Sequence, residues 1–421
     1  MWAASLMHMP KRAVKVAILG INYAPEPTGI APYTAGIATG LSRRGHDVLV
    51  LTGQPHYPYW ERSEGDRRFR SEEPIDGVRV RRLRHPVPKR LSWRARGIME
   101  IAFGLQLATS RWGRPDVVIC VTPPLLSAAI ATIRIRLTRR KPALGILVQD
   151  LYGRGIEETG AAAGLSARFI HAVESLTLRS CDGVSVIHTG FAADLSSDLG
   201  VDSGRIREIR NWTHVGSSDP SASEAFRRSQ GWSDDEIVVL HAGSMGYKQG
   251  LENVIAAAEL GARSERRVRF VLLGDGNQRS HLERLGAGVT ALQFLRPVGD
   301  DAFPAALGAA DVLLVNERPG VANMSVPSKL TSYFKARKPI VAATDATGFT
   351  ATELAASGAG VCVPADRPDM LLNEALRLGS DRQLANRLGE AGGRYCERLL
   401  SEDSALDRYE RWIIDLAEGK Q

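Results

Sequence analysis

The sequence is poor in cysteine. Its 421 residues contain four cysteines, far apart at Cys120, Cys181, Cys362 and Cys396, and no C-x-x-C pair. This number and spacing exclude a disulfide scaffold and a structural zinc knuckle. We therefore expect a reduced protein of the cytosolic type.

Long hydrophobic runs are also lacking. The most apolar stretch, 117–133 (VVICVTPPLLSAAIATI), falls short of the ~20 residues that a membrane-spanning helix needs, and Pro123-Pro124 interrupts it. A buried strand followed by a buried helix explains this stretch better. Residues 1–12 carry their basic pair after the apolar residues, which is the reverse of a secretory signal.

The remaining composition is that of globular domains. The chain is 44% hydrophobic and 24% charged, with 41 glycines and 21 prolines, and this balance excludes disordered, collagen-like and coiled-coil proteins. A chain of this length is expected to form two to three domains.

Positive charge is concentrated in the first half of the chain. The net charge is +7, and thirteen positive residues lie in 79–96 and 134–141, which contain no acid. A solvated surface is one interpretation. Nucleic acid is not expected as a partner, because no helix-turn-helix, zinc or RNA-recognition motif accompanies the charge. The basic run continues into apolar 97–112, with Trp93 and Trp112 at its ends, so we predict that 79–112 binds an anionic membrane surface.

Both halves of the chain alternate short β-branched runs with amphipathic helical periods. The pattern predicts an α/β protein with two doubly wound parallel sheets, because parallel strands need crossover helices. We place an N-terminal domain at 1–212, a C-terminal domain at 213–395 and a helix at 396–421 that packs back on the first domain. The tail from 381 is predicted to be helical throughout, and a dimer surface is the alternative for it. Ligands of such sheets bind at the carboxyl ends of the strands, so the cleft between two facing domains is the expected site.

The segment 238–250 (VVLHAGSMGYKQG) is a strand that enters a glycine loop before a helix. Gly243 and Gly246 let backbone amides approach a ligand, the following helix offers its amino end, and Lys248 adds a charge. The segment matches neither a Walker loop nor a dinucleotide fingerprint. It indicates phosphate binding, with an ordinary strand-to-helix turn as the alternative.

Other strand-to-helix loops have similar features. In 316–329 (NERPGVANMSVPSK), Pro327 and Ser328 suit a helix start, and Lys329 in the first turn opposes the helix dipole, which suggests that an anion belongs there. Gly274, in 271–277, is a further candidate, although this turn could serve backbone geometry alone. In the first half, Gly29 and Ile30 precede a helix near Pro32. The loops together favour a diphosphate held between the domains.

The chain resembles the retaining glycosyltransferases of family 4, most closely their colanic-acid-type fucosyltransferase branch. The similar segments occur in family order along nearly the whole chain, at 20–58 (GINYAPEPTGIAPYT…), 147–152 (LVQDLY), 210–215 (RNWTHV), 241–255 (HAGSMGYKQGLENVI), 272–278 (LLGDGNQ) and 325–334 (SVPSKLTSYF).

The resemblance implies a GT-B fold, with a nucleotide-sugar bound mainly by the second domain and the acceptor by the first. By resemblance, Lys248 matches the lysine on the donor diphosphate, and Asn211-Trp212 matches a structural hinge-side motif. The PSK run matches the loop around the distal phosphate and the sugar. The expected donor-binding set is Gly243, Ser244, Gly246, Lys248, Gly274, Pro327, Ser328, Lys329 and Ser332, and the acceptor-side set is Gly29, Ile30 and His56.

The sequence departs from the family pattern at several positions. The family's glutamate pair, spaced E-x7-E, aligns with Met324 and Ser332. The arginine after the loop glycine is Ser244, and the usual His-Asp near the acceptor reads Gln149-Asp150. The fucosyltransferase branch shares this kind of substitution, which is why we prefer that branch.

The resemblance and the residues together predict a retaining glycosyltransferase that needs no metal or cofactor, because the chain contains no D-x-D motif. Lys248 is expected to stabilise the leaving diphosphate. Asp150 is the candidate for an auxiliary base, with a turn or cap role as the alternative, while His56 and His188 are weaker candidates.

The expected substrates are a nucleoside-diphosphate sugar, GDP-fucose by resemblance, and a saccharide on a polyprenyl diphosphate in exopolysaccharide assembly. This acceptor would place the protein in the cytoplasm, on the inner face of the plasma membrane. The alternatives are a GT-B sugar-nucleotide epimerase and a non-catalytic homologue that binds a nucleotide-sugar.

Overall fold

The computed structural model describes residues 12–27, 29–57, 60–61, 68–88, 92–151, 165–213, 215–264, 267–320 and 329–419. The chain divides into two compact units. The first unit comprises Met1–Asn211 and Asp403–Gln421, and the second unit comprises Trp212–Glu402.

The first unit contains an eight-stranded sheet, in which β3 alone runs antiparallel to its neighbour. Its strands are β1 (Lys15–Leu19), β2 (Asp47–Gly53), β3 (Arg70–Ile75), β4 (Val78–Leu83), β5 (Val117–Thr122), β6 (Ala143–Val148), β7 (Gly183–Val186) and β8 (Ile206–Glu208). Its first helices are α1 (Ala31–Arg43), α2 (Trp93–Thr109), α3 (Leu125–Leu137), α4 (Leu165–Arg179) and α5 (Thr189–Ser197). The central strands are continuous apolar runs, as parallel strands covered on both faces require.

The hairpin of β3 and β4 was not predicted, and it changes the interpretation of the basic run. In β4, the buried Val78 and Val80 alternate with arginines, which is the period of a strand with one covered face. Arg81 and Arg82 pair with Glu72 and Glu73 of β3. Arg79 likewise pairs with Asp47 at 2.9 Å. These three arginines of the predicted membrane-binding segment 79–112 are therefore paired with carboxylates of the same unit.

The most apolar stretch of the sequence forms β5 and α3, separated at Pro123-Pro124, which confirms the strand-and-helix interpretation. Within the part of the chain that the structure describes, no helix is both long enough and apolar enough to cross a bilayer.

The second unit contains a six-stranded sheet, and all of its strands are parallel. The strands are β9 (Ile237–Ala242), β10 (Val268–Leu273), β11 (Leu292–Leu295), β12 (Val312–Asn316), β13 (Ile340–Ala343) and β14 (Gly360–Val363). The helices are α6 (Pro220–Ser229), α7 (Glu252–Gly261), α8 (Arg279–Leu285), α9 (Phe303–Ala309), α10 (Lys329–Lys335), α11 (Phe349–Ser357), α12 (Pro368–Ser380) and α13 (Arg382–Leu399).

The C-terminal tail is not one continuous helix, which corrects the prediction for 381 onwards. Helix α13 ends at Leu399, and α14 (Glu402–Glu418) begins after a break, where Glu402 and Asp403 supply the acids that favour a first helical turn. Helix α14 packs on the sheet of the first unit. A Cβ at Gly145 would lie 2.7 Å from the Trp412 ring, so the absent side chain makes room for the indole.

The order of the strands defines one switch point in each sheet. The first sheet runs β3-β4-β2-β1-β5-β6-β7-β8, so the chain direction across the sheet reverses between β1 and β5. The second runs β11-β10-β9-β12-β13-β14 and reverses between β9 and β12. Because ligands of open α/β sheets bind where the strand order reverses, the loops that follow these strands are the first places to examine.

Candidate functional site

The loop after β9 contains an additional turn that the sequence did not predict. Tyr247–Gln249 forms a single 3-10 turn, and α7 begins only at Glu252. The side chain of Gln249 accepts a hydrogen bond from the amide of Gly246 at 3.0 Å. Lys248 thus lies in the extra turn and is exposed, whereas the first turn of α7 carries the acidic Glu252. The amino end of α7 is therefore not the open anion site that was expected directly after Gly246.

The end of β12 holds this turn in place. The Asn316 side chain donates to the carbonyl oxygens of Gln249 at 2.8 Å and of Gly250 at 2.9 Å. The Arg318 amide donates to the Lys248 carbonyl at 2.9 Å. The backbone at Lys248 is therefore held from the strand on the other side of the switch point. Sequence reasoning missed this support, because its partners lie more than sixty residues apart.

Lys329 starts α10 and lies beside the end of β9. Its Nζ is 3.2 Å from Nε2 of His241, a fully buried side chain near the end of β9. The same Nζ would lie 3.6 Å from a Cβ at Gly243, so the lysine amine is next to the predicted glycine loop. The structure thus brings together Gly243 and Lys329 and adds His241, which was not predicted.

The charged groups of this cluster influence one another. Burial lowers the pKa of Lys329 to about 7; the carboxylate of Glu317 acts in the opposite direction, and the charge of Lys248 lowers the pKa further. Burial and the neighbouring Lys329 hold the pKa of His241 well below its usual range. An anion bound beside Lys248 and Lys329 would therefore raise the pKa of Lys329 and favour its protonated form.

Glu317, directly after β12, is the acidic member of the same cluster. Its carboxylate accepts hydrogen bonds from Thr350 at 2.9 Å and from Thr344. Burial raises its pKa, while the two threonine hydroxyls and the two lysines act against that rise. Its amide donates to the carbonyl of Ala343 at 2.9 Å, so the residue is held at the switch point by both backbone and side chain.

The loop after β10 supports the loop after β9. A Cβ at Gly274, whose φ is +147°, would lie 1.8 Å from the carbonyl oxygen of Gly243, so only glycine fits there. The amide of Met245 donates to the carbonyl of Asp275 at 2.8 Å. The role that the structure shows for Gly274 is backbone packing, which is the alternative weighed for that turn.

The structure describes two of the remaining residues that were predicted at the donor site. Ser332 lies in α10, one turn after Lys329, and is half-buried, while Ser244 is exposed beside Gly243. Pro327, Ser328 and Met324 lie outside the described residues.

In the first unit, a buried carboxylate organises the loops after β1 and β2. Glu26 accepts hydrogen bonds from the amides of His56 at 2.8 Å and Tyr57 at 3.0 Å, and from the Asn22 side chain at 2.8 Å. Gly29 lies next to the Tyr57 ring, and Ile30 is the residue before α1. The predicted acceptor-side residues Gly29, Ile30 and His56 therefore lie in two neighbouring loops, and Glu26 is the member that sequence reasoning missed.

Aromatic rings enclose His56. Its ring centroid is 4.8 Å from that of His85 and 5.5 Å from that of Trp60, both edge to face. The imidazole Nδ1 also lies 3.1 Å from the carbonyl of Gln54. This edge of the first sheet is thus built from hydrogen-bonding and aromatic groups.

Asp150 and its neighbour have local roles in the structure. Asp150 Oδ1 accepts a hydrogen bond from the amide of Leu151 at 3.0 Å, as a turn residue does. Gln149 and Asn211 exchange two amide hydrogen bonds, at 2.7 and 3.2 Å, which gives Asn211 a structural role. His188 accepts from the amide of Gly190 at 3.0 Å and caps α5. Asp150 belongs to the first unit and Lys248 to the second.

Acidic, imidazole and thiol side chains could hold a metal only if three or more of them converged. Among the residues that the structure describes, no such group occurs.

The fold and the two domain types define the class of the protein. Residues 28–212 match a glycosyl transferase 4-like domain, and residues 222–394 match the glycosyl transferases group 1. The solved sucrose-phosphate synthase of Thermosynechococcus elongatus has this fold, with a TM-score of 0.70 at 17% identity, covering 96% of this chain and 100% of that one. Anabaena Alr3699/HepE, solved with UDP, reaches a TM-score of 0.71 at 15% identity, covering 96% and 100% of the two chains. The protein is a glycosyltransferase of the GT-B fold.

Sequence comparison with individual proteins gives relatives of the same class. The chain is 30% identical over 420 residues to a protein of Escherichia coli (strain K12) whose name assigns it to colanic acid biosynthesis as the glycosyl transferase WcaI, covering 94% of this chain and 98% of that one. A GDP-mannose-dependent alpha-mannosyltransferase of Mycobacterium tuberculosis (strain CDC 1551 / Oshkosh) is 27% identical over 277 residues, which is 64% of this chain and 65% of that one. The chain belongs to the family-4-like glycosyltransferases, which confirms the resemblance.

Proposed function

We propose that this glycosyltransferase binds the diphosphate of a nucleotide-sugar in its second unit. The observation that carries the proposal is the placement of Lys248 and Lys329 on the two sides of the β9/β12 switch point, where ligands of such sheets bind. Lys329 is next to Gly243, and Lys248 is fixed through Arg318. The UDP bound in the Alr3699/HepE structure is a ligand of the same chemical class.

The two lysines would act on the charge that develops during transfer. The bond between the sugar C1 and the phosphate oxygen breaks, a bond from the acceptor oxygen to C1 forms, and negative charge grows on the leaving diphosphate. A fixed cation at that position stabilises the transition state, and removal of one such group costs about 3 kcal/mol in barrier. We propose retention of configuration, with the departing phosphate oxygen taking the proton of the acceptor hydroxyl.

The first unit would bind the acceptor through the loops after β1 and β2. Glu26 fixes the backbone at His56 and Tyr57, and the rings of Tyr57 and Trp60 lie 6.1 Å apart at this edge. Aromatic surfaces and hydrogen-bonding groups are suited to a sugar. Asp150 remains a candidate for orienting the acceptor hydroxyl.

The biological acceptor that we propose is a saccharide on a polyprenyl diphosphate, used in cell-surface polysaccharide assembly at the cytoplasmic face of the plasma membrane. The name of the Escherichia coli relative refers to colanic acid biosynthesis, and WaaG, a glycosyltransferase that shares the fold, is involved in lipopolysaccharide biosynthesis. GDP-fucose is the donor that we would test first. Membership of the glycosyltransferase family favours this reaction over the epimerase alternative.

A thermal-shift panel of GDP-, UDP- and dTDP-sugars, followed by transfer assays with membrane extract, tests the proposal. One nucleotide class is expected to stabilise the protein and to donate its sugar, at a rate that EDTA leaves unchanged, because the lysines carry the charge that a metal would otherwise carry. If no nucleotide-sugar stabilises the protein or supports transfer, the proposed donor site is wrong. If EDTA abolishes transfer, the proposed metal independence is wrong.

A further inference from the structure

Helix α2 carries apolar side chains on its outer side as well as on its buried side, which differs from an ordinary surface helix. Ile98 is 63% exposed and Leu105 is 55% exposed, whereas the carboxylate-bearing Glu100 is completely buried. A surface helix in water normally turns its charged residues outward and its apolar residues inward. The outer side of α2 is therefore suited to an apolar environment.

The buried side of α2 shows why Glu100 points inward. Its Oε2 accepts a hydrogen bond from the amide of Leu126 at 3.1 Å, at the amino end of α3, and its Oε1 accepts from Arg96 at 3.2 Å. The Glu100 carbonyl oxygen accepts from the hydroxyl of Ser127 at 2.6 Å. These bonds satisfy the carboxylate inside the first unit, so the outward apolar residues are not a consequence of an unstable or slipped helix.

The apolar surface continues over two neighbouring helices. Helix α3 packs against α2 on one side and against α4 on the other. Of the eleven large hydrophobic side chains that are exposed in the described residues, seven lie on these three helices. We call the surface formed by these seven side chains the three-helix face. The side chains are Ile98, Ile101, Leu105, Ile133, Leu137, Phe169 and Leu176.

The exposed charged side chains on the described residues of these three helices are all basic. Helices α2, α3 and α4 contain two acidic residues, Glu100 and Glu174, and both are buried. The exposed basic residues on these helices and directly after α3 are Arg94, Arg139, Arg140, Lys141, Arg168 and Arg179. An apolar surface on helices whose described residues expose basic side chains and no carboxylate is complementary to anionic headgroups above an acyl layer.

We propose that the three-helix face docks the first unit on an anionic bilayer surface, with its apolar side chains in the headgroup layer and its basic rim against lipid phosphates. The inference rests on the proposed function, since a lipid-borne acceptor must be reached at a membrane. It retains α2 from the predicted segment 79–112, leaves out the ion-paired arginines of β4 and adds α3 and α4. A second copy fits less well, because a two-fold interface would bring each basic rim against another.

Vesicle flotation with two matched pairs of variants tests the proposal. Ile101→Glu/Leu105→Glu removes part of the apolar face, and Leu260→Glu/Leu285→Glu makes the same change at exposed leucines of the second unit. Arg139→Glu/Arg140→Glu reverses the rim, with Arg263→Glu/Arg284→Glu as its control at exposed arginines. The lipids are pure phosphatidylcholine and phosphatidylcholine with phosphatidylglycerol.

We expect the wild type and both control variants to bind the anionic vesicles, and to bind them more weakly at high salt. None of these three proteins should bind the pure phosphatidylcholine vesicles. Each variant of the three-helix face should lose about tenfold or more in affinity, because it removes two apolar side chains from the headgroup layer or two cationic contacts with lipid phosphates. Donor binding, read as the thermal shift with the best nucleotide-sugar, should be the same in all five proteins.

Three results would overturn the inference. The first is that the wild type fails to bind anionic vesicles, and the second is that the variants of the three-helix face bind them as well as the wild type does. The third result is that these substitutions change only the dimer population, measured by sedimentation velocity. Because donor binding is measured separately, a failure of the donor site would leave vesicle binding intact. The membrane inference can fail in turn while the donor shift persists.

Discussion

In the first unit, the loops after β1, β2 and β4 bring a carboxylate, two imidazoles and an indole together around Glu26 and His56. In the second unit, the loops after β9 and β12, on the two sides of the switch point, bring two lysines together around His241 and Glu317. Both sheets are doubly wound and reverse in the same way. The shared topology supplies the place for a ligand, and the side chains after each strand decide whether it suits an anion or a hydroxyl-rich sugar.

The largest expected effect is a loss of stability that is confined to one of the two units. Trp412→Ala removes the indole that packs on Gly145 and Gly183, and truncation of a buried tryptophan costs about 3–5 kcal/mol. Hydrogen exchange read by mass spectrometry should quicken in peptides from β6 and β7 and remain slow in those from β9 and β12. The mirror variant Trp232→Ala, at a buried tryptophan of the second unit, should give the opposite pattern. Equal loosening of both units in either variant would contradict this division.

The second effect is on the reaction. Lys248→Ala should lower kcat for transfer by about 10²–10³-fold, because the cation that we propose to stabilise the leaving diphosphate is lost. The protein should remain folded, since Lys248 is exposed. Lys335→Ala, in the last turn of α10, is the control for a general loss of positive charge. Wild-type rates in Lys248→Ala would remove that residue from the site.

The third effect is a pH dependence confined to the donor side. Lys329 is charged below its pKa of about 7 and increasingly neutral above it. In the proposed site the donor diphosphate binds the charged form, so its Kd should rise as the pH increases through 7, by up to about tenfold per pH unit. Lys329→Arg should flatten the profile, because a guanidinium stays protonated. A steep profile that persists in this variant would assign the titration to another group.

The smallest effect tests the acceptor side. Glu26→Gln retains the size of the side chain but weakens two hydrogen bonds from backbone amides, a loss of about 1–2 kcal/mol. We expect KM for the acceptor to rise several-fold while the Kd of the nucleotide-sugar is unchanged. A change in donor affinity alone would contradict the assignment of Glu26 to the acceptor-binding loops.

Local patterns in the sequence were sufficient to predict much of the fold. The apolar runs of β1, β5 and β9 and the glycine loop before α7 each lie within a short window, so periodicity and turn residues reveal them. The hairpin of β3 and β4 was missed because the arginines of β4 drew attention to charge, although Val78 and Val80 already alternate with them.

The site could be predicted only where a residue stands in a recognisable loop. Lys248 and Lys329 are of this kind. The groups that position them or adjust their charge, Asn316, Glu317 and His241, come from other strands, and their hydrogen bonds join residues up to about ninety positions apart. Such pairs follow from strand order, which a single sequence does not show directly.

The most direct test compares nucleoside diphosphate with nucleoside monophosphate binding by titration calorimetry at pH 6.5, in the wild type, in Lys248→Ala with Lys329→Met, and in Lys335→Ala. We expect the second phosphate to contribute about 2 kcal/mol or more in the wild type and in Lys335→Ala, and little in the double variant, because charge-assisted hydrogen bonds contribute about that much. An equal contribution of the second phosphate in all three proteins would contradict the claim that these two lysines bind the donor diphosphate.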